Sequence, residues 1–223
     1  MSVTSPLDAI ELPTTDEEIW RYSRIGDLDL ASYVPAAHHV DVTGAGDLLV
    51  GEPAGELFGD PPDVFAELNA SLAAEYTPAV HIAVPRGKVV DGPIVVTHTI
   101  PADRSLTAPR LLIDAGPDSE VTVIEVFRSS AAGAALTLPV VHVRAGAAAR
   151  VRYLAVNELG DEVWSIGHQR AESERDSDLL LSAVALGGDY ARVRAEARSV
   201  GQGASTRQVA LYFADGHQMH DFR

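Results

Sequence analysis

Residues 179–213 read LLLSAVALGGDYARVRAEARSVGQGASTRQVALYF, three apolar-alternating runs parted by Gly-Gly-Asp and Gly-Gln-Gly. In the middle run Ala191, Val193, Ala195 and Ala197 fall on one face, and Tyr190, Arg192, Arg194, Glu196 and Arg198 fall on the other. A period of two with one apolar face is the signature of a half-buried β-strand. The inward set is mostly alanine, which suits the narrow inside of a tightly wound coil of strands. Ala147, Ala148, Ala149, Val151 and Ala155 repeat the same economy.

Upstream, similar runs recur from Ala79 onward. Strands are expected at 80–84, 92–100, 110–114, 121–127, 136–143, 149–156, 163–170, 179–186, 190–200 and 206–213, punctuated by Pro85, Gly87, Gly116, Pro117, Gly133, Gly146, Gly160, Gly188 and Gly201. Ten strands at this spacing fit a sandwich, a barrel or a solenoid. The small inward residues and the scarcity of two-residue Asn-Gly or Asp-Gly hairpins favour the solenoid. Pattern alone leaves the sandwich open.

Before residue 80 the character differs. Residues 1–80 carry fifteen acids against two arginines, whereas residues 81–223 carry seventeen acids against fifteen bases. This step places a boundary between an acidic helical and loop region at 1–78 and a β-region at 79–223. The first thirteen residues read as a frayed lead-in. Thr15 and Glu18 form a capping box that predicts a short helix through Ile19, Trp20 and Tyr22, ending near Gly26. Residues 29–59 read as loop with a short strand at 48–50. A second helix is expected over 62–76, with Val64, Phe65, Leu68 and Leu72 as its apolar stripe.

Composition excludes several chemistries. The chain has no cysteine, so it offers no disulfide, thiolate nucleophile or cysteine-held metal cluster of its own. A net charge of −15 repels phosphate backbones, so nucleic acid is not an expected partner. The start is acidic and broken by Pro6 and Pro13, unlike a secretory leader. No apolar run approaches the roughly 20 residues of a membrane helix, and the expected location is the cytoplasm.

Catalytic motifs are missing. There is no GxxxxGK[ST], GxGxxG, HExxH or GxSxG. His217 and His220 form an HxxH beside Asp215 and Asp221, but a solvent-facing turn explains them better than a metal site. His38 and His39 show no partner pattern. His81, His98 and His142 sit inside strands, where a hydrogen-bonded imidazole is the ordinary reading. Arg192, Arg194, Arg198 and Glu196 read as a solvated ladder or a subunit contact. Trp20 beside Tyr22 could stack a sugar, though an aromatic anchor into the neighbouring region is the better reading.

Five stretches, in order, then resemble one family: EEIWRYSRIGDLDL at 17–30, LNA at 68–70, VPRGKVVDGPIVVTH at 84–98, PRLLIDAGPDSEVTVIEVF at 109–127 and GASTRQVALYFADGHQMHDFR at 203–223. Together they resemble the SufB/SufD family of iron–sulfur cluster assembly scaffolds, and WRYS at 20–23 points to its SufD branch. The resemblance implies a mainly β chain, a right-handed parallel β-helix with a small N-terminal helical region. It implies a non-catalytic scaffold working with SufB-like and SufC-like subunits, SufC supplying ATPase activity, and a possible homodimer. The chain alone would bind no cofactor; an iron–sulfur cluster, and a reduced flavin, would belong to the full complex. Family members run on for over a hundred residues, so the β-helix is expected to be truncated at 223, with the family's functional histidine beyond it. No catalytic, cofactor-binding or metal-binding residue is therefore assigned. The competing expectations are a carbohydrate-active β-helix enzyme, which needs clustered carboxylates on an exposed strand face, and a purely structural protein-binding solenoid.

Overall fold

The computed structural model describes residue 7, residues 10–51 and residues 58–223; most of the expected lead-in and part of the 29–59 loop lie outside the described residues. Three short 3-10 turns, Glu18–Trp20, Ile25–Asp27 and Leu30–Ser32, precede the first strand. The chain then forms β1 (Val34–Pro35), β2 (His39–Thr43), β3 (Leu49–Val50) and the α-helix α1 (Val64–Tyr76). There follow β4 (Val80–Val84), β5 (Ile94–Ile100), β6 (Ser105–Thr107), β7 (Arg110–Ala115), β8 (Glu120–Ser129), β9 (Ala135–Thr137) and β10 (Val140–Ala145). The last six strands are β11 (Arg150–Glu158), β12 (Val163–Ser173), β13 (Asp178–Ala185), β14 (Tyr190–Ser199), β15 (Ser205–Tyr212) and β16 (Met219–Phe222).

From β4 onward the strands wind into a parallel β-solenoid of about five turns. One sheet stacks β4, β7, β10, β12, β14 and β16, and the other stacks β5, β8, β11, β13 and β15, every neighbouring pair parallel. Because Val121 pairs with Val151 and Val151 with Leu179, inward positions stay inward from turn to turn. Register is held because a slip of one residue would bring the charged set inside.

A recurring corner sets the winding. Gly87, Asp118, Ala148, Asp176 and Gly203 occupy equivalent turns, and all have positive φ, between 57° and 76°. The Asp118 amide donates to the Ala147 carbonyl, the Ala148 amide to the Arg175 carbonyl and the Asp176 amide to the Gln202 carbonyl. Each corner is thereby tied to the next.

Between the sheets lies a continuous apolar core that includes Ile82, Val96, Ile113, Val123, Val143, Val151, Ala171 and Leu181. The expected alanine lining is one part of the core along its length, with Ala115, Ala145, Ala149, Ala171, Ala183 and Ala191 buried. The axis is also wide enough for valine, isoleucine and leucine. The expected strand at 136–143 divides into β9 and β10, because Pro139 has no amide to donate to a ladder. Strands β2, β6 and β16 were too short or too polar for their alternation to register.

A second layer covers the outer face of the first sheet. Trp20, Ile25, Phe65, Leu68 and Leu72 pack on Leu106, Leu136, Trp164 and Tyr190. Helix α1 forms where expected: Asp63 caps it, accepting from the Phe65 and Ala66 amides at 3.1 and 3.0 Å. Asn69, fully buried, donates from its amide nitrogen to the Pro109 and Leu138 carbonyls at 3.1 and 2.6 Å. The helix is thus pinned to the gap where two strands part.

The helix expected after residue 15 is instead a pair of 3-10 turns. The reciprocal cap sits one residue earlier: the Asp16 amide donates to Thr14 Oγ1 and the Thr14 amide to Glu17 Oε1. Residues 34–50 also join the solenoid, β1 beside β6, β2 antiparallel to β5 and β3 antiparallel to β4.

Candidate functional site

Four side chains from four separate elements meet inside the first turns. His98 on β5 and Glu125 on β8 point inward from the same sheet, and Tyr153 on β11 enters one turn further along. His38 reaches in from the residue preceding β2. His98 Nε2 lies 2.9 Å from Glu125 Oε1, and the Tyr153 hydroxyl donates to Glu125 Oε2. His38 Nε2 lies 2.9 Å from His98 Nδ1, and Thr77 Oγ1 lies 3.1 Å from His38 Nδ1. Phe127 stacks against the His98 ring at 5.1 Å.

Donors and acceptors in this chain can be oriented in one continuous direction. With Glu125 ionised it accepts from His98 Nε2–H and from Tyr153. Neutral His98 then accepts at Nδ1 from His38 Nε2–H, and His38 accepts at Nδ1 from the Thr77 hydroxyl. His98, Glu125 and Tyr153 are each at most 2% exposed, so an unmet hydrogen bond there would be costly. Burial, reinforced by the neighbouring His98 and His39, pulls the His38 imidazole down to about 3, which keeps it neutral. Burial, then the Glu125 charge, drives the Tyr153 phenol well above its ordinary value, so it stays protonated and donating.

Glu125 and Tyr153 also line a cavity of about 40 Å³, walled on the opposite sheet by Ser165 and Gln169. Sequence reading placed His98 correctly as a hydrogen-bonded strand imidazole. It gave His38 no partner, and the structure corrects this. Glu125 and Tyr153 were missed, although a lone acid at an inward position of VTVIEVF was the available signal: only a paired carboxylate survives there.

The other candidates lie elsewhere. His217 occupies an exposed turn and His220 lies on β16 opposite Ala191; among the described residues no group of three or more His, Asp or Glu is arranged to hold a metal ion. Trp20 is buried and faces Phe65 at 5.4 Å, while Tyr22 is exposed, so the two do not form a sugar-stacking pair. The expected solvated ladder on β14 is corrected at its start: Tyr190 and Arg192 are buried beneath the N-terminal layer. Arg192 pairs with Asp221 and donates to the Ile19 carbonyl at 2.7 Å. Beside it Arg24 grips Asp189 at 2.7 Å, and the Trp164 indole donates to the same carboxylate at 2.8 Å.

Exposed carboxylates on the strand faces are met by arginines one turn away. Asp114 faces Arg144, Glu120 faces Arg150, and Asp178 lies between Arg152 and Arg207, all at 3.5–3.6 Å. A glycosidase needs two carboxylates free to act on one bond, and these ladders give that reading no support.

Fold and interior define a parallel β-solenoid with a hydrogen-bonded polar chain in its core, braced by its own N-terminal segment. Residues 98–223, more than half of the chain, match the family model described as SUF system FeS cluster assembly, SufBD core domain. The chain belongs to the SufBD family. It is 28% identical over 221 residues to an iron–sulfur cluster assembly SufBD family protein of Mycobacterium leprae, covering 95% of this chain and 55% of the relative. It is 25% identical over 226 residues to members of the same description from Mycobacterium bovis and Mycobacterium tuberculosis, covering 95% of this chain and 54% of each relative. The chain thus spans about half the length of the curated relatives it matches. No solved structure matches it. No helix among the described residues is long and apolar enough to cross a membrane.

Proposed function

We propose that this chain is a SufD-like scaffold element in iron–sulfur cluster assembly, acting in the cytoplasm with SufB-like and SufC-like subunits and not itself an enzyme. The observation that carries the reading is the family match over the solenoid, and the WRYS stretch at 20–23 favours the SufD branch. The cluster is cargo on this reading. A chain without cysteine cannot supply thiolate ligands from these residues, so companion subunits provide them, and SufC provides the nucleotide chemistry. A reduced flavin, if used, is held by the complex.

The fold supports a scaffold role. Strand β15 pairs only with β13 among the described residues, and it presents exposed Val209, Leu211 and Tyr212. Size-exclusion chromatography with light scattering, on this chain mixed with SufB-like and SufC-like subunits, tests the reading. Elution in one heteromeric peak is expected, and separate elution of all three would contradict it.

A further inference from the structure

The interior of the solenoid is more polar than its packing needs. Thr107 pairs in register with Thr137, and Thr137 with Ser165, so three inward hydroxyls stack along the first sheet. Thr107 and Thr137 are fully buried, yet neither Oγ1 meets a hydrogen-bonding partner within the protein. A buried hydroxyl without a protein partner calls for water. Ser165, the last step of the ladder, lines the same cavity as Glu125 and Tyr153. At about 40 Å³ that cavity has room for water, which needs about 10–15 Å³ per molecule.

We propose that the hydrogen-bonded chain and this cavity form a proton path into the solenoid: Thr77 and His38 on its outer side, His98 and Glu125 within it, and cavity water held against Ser165. A solvent proton is taken up at Thr77 Oγ1 as the Thr77 hydroxyl proton moves to His38 Nδ1. His38 passes its Nε2 proton to His98 Nδ1, and His98 passes its Nε2 proton to Glu125 Oε1. Glu125 releases a proton to cavity water. One proton enters and one leaves, the carboxylate is restored, and a ring turn or reverse tautomer shift resets each imidazole.

Every contact along the protein part falls between 2.9 and 3.1 Å, within the range for proton hand-over. The neutral state of His38 is what such a path needs, since a neutral imidazole both donates and accepts. Tyr153 holds the second carboxylate oxygen, which leaves Oε1 to His98. The path rests on these contacts and the cavity, and it stands or falls separately from the scaffold reading.

The test uses the purified chain labelled with 15N-histidine, following by NMR how fast the His98 ring N–H exchanges with solvent at neutral pH. His38→Phe interrupts the path, and His38→Gln keeps a hydrogen-bonding side chain that cannot relay a proton. Both His38 variants are expected to slow the exchange by at least about tenfold while leaving core amide protection unchanged. Exchange at or above the wild-type rate in both His38 variants would overturn the path. So would wild-type His98 exchange as slow as that of the β5 and β8 amides.

Discussion

The guanidinium carbon of Arg192 lies 3.9 Å from the ring centroid of Trp20. The two residues come from the N-terminal turns and from one of the last strands, so their contact closes the covering layer onto the solenoid. The Arg192 charge is answered by Asp221, which Arg223 also holds at 2.9 Å. A buried arginine between an indole face and a carboxylate gains from both, and it loses much when either is removed.

Trp20→Ala therefore empties a fully buried site beneath α1 and bares the Arg192 guanidinium. The expected loss is about 3–5 kcal/mol, the range for truncating a large buried aromatic. Urea unfolding followed by the fluorescence of Trp164 measures it. A loss below 1 kcal/mol, within the ordinary range of surface substitutions, would mean that the N-terminal layer is not seated on the solenoid as described.

Asn69→Leu keeps the side-chain volume and deletes both amide hydrogen bonds to the Pro109 and Leu138 carbonyls. The Leu138 carbonyl loses the Asn69 donor and the Pro109 carbonyl is left with the Val140 amide alone, at 2.9 Å, and a cost of about 1–3 kcal/mol is expected. Thermal unfolding should show it as a lowered midpoint without loss of the β signal in circular dichroism.

Ala148→Gly should stabilise the fold. Ala148 is held at φ 57° in one of the repeating corners, a conformation that costs an alanine about 1–2 kcal/mol and a glycine little. Glycine's greater freedom when unfolded offsets part of the relief. A net gain of several tenths to about 1 kcal/mol would raise the melting midpoint by up to about 4 °C.

Stability should rise with pH across the mildly acidic range. An imidazole in the unfolded chain titrates near 6.5, whereas buried His38 titrates at about 3. Between those values the unfolded chain binds a proton that the folded chain refuses, so this contribution is complete above pH 6.5 and is lost as pH falls toward 3. Each unit of that difference corresponds to about 1.4 kcal/mol. His38→Asn should flatten the slope of unfolding free energy between pH 4 and 6.5. A remaining slope is expected from His168, which burial holds low against the pull of Glu196.

The strands and corners were legible because alternation and turn residues operate locally, whereas their parallel winding was reached only through the family resemblance. Gly-Pro-Asp at 116–118 and Gly-Gln-Gly at 201–203 carry the corners in their own chemistry, and Val121, Val123, Val151 and Leu179 declare their face by spacing two. The covering layer was less so. Arg192 and Tyr190 alternate with alanine as solvent-facing residues do, and only the distant Trp20 and Ile19 convert that face into an interior. The polar chain was hidden for the same reason. His38, His98, Glu125 and Tyr153 are each unremarkable alone, and the folding of four elements turns them into one hydrogen-bonded row.

The pairing of His98 with Glu125 inside that row is what the account most depends on, and a double-mutant cycle measures it directly. His98→Phe, Glu125→Gln and the double variant are unfolded in urea at pH 7 beside the parent chain. A charge-assisted hydrogen bond between two buried groups should give a coupling free energy of about 1.5–3 kcal/mol. Additive single effects, with coupling within about 0.3 kcal/mol of zero, would contradict the described interior.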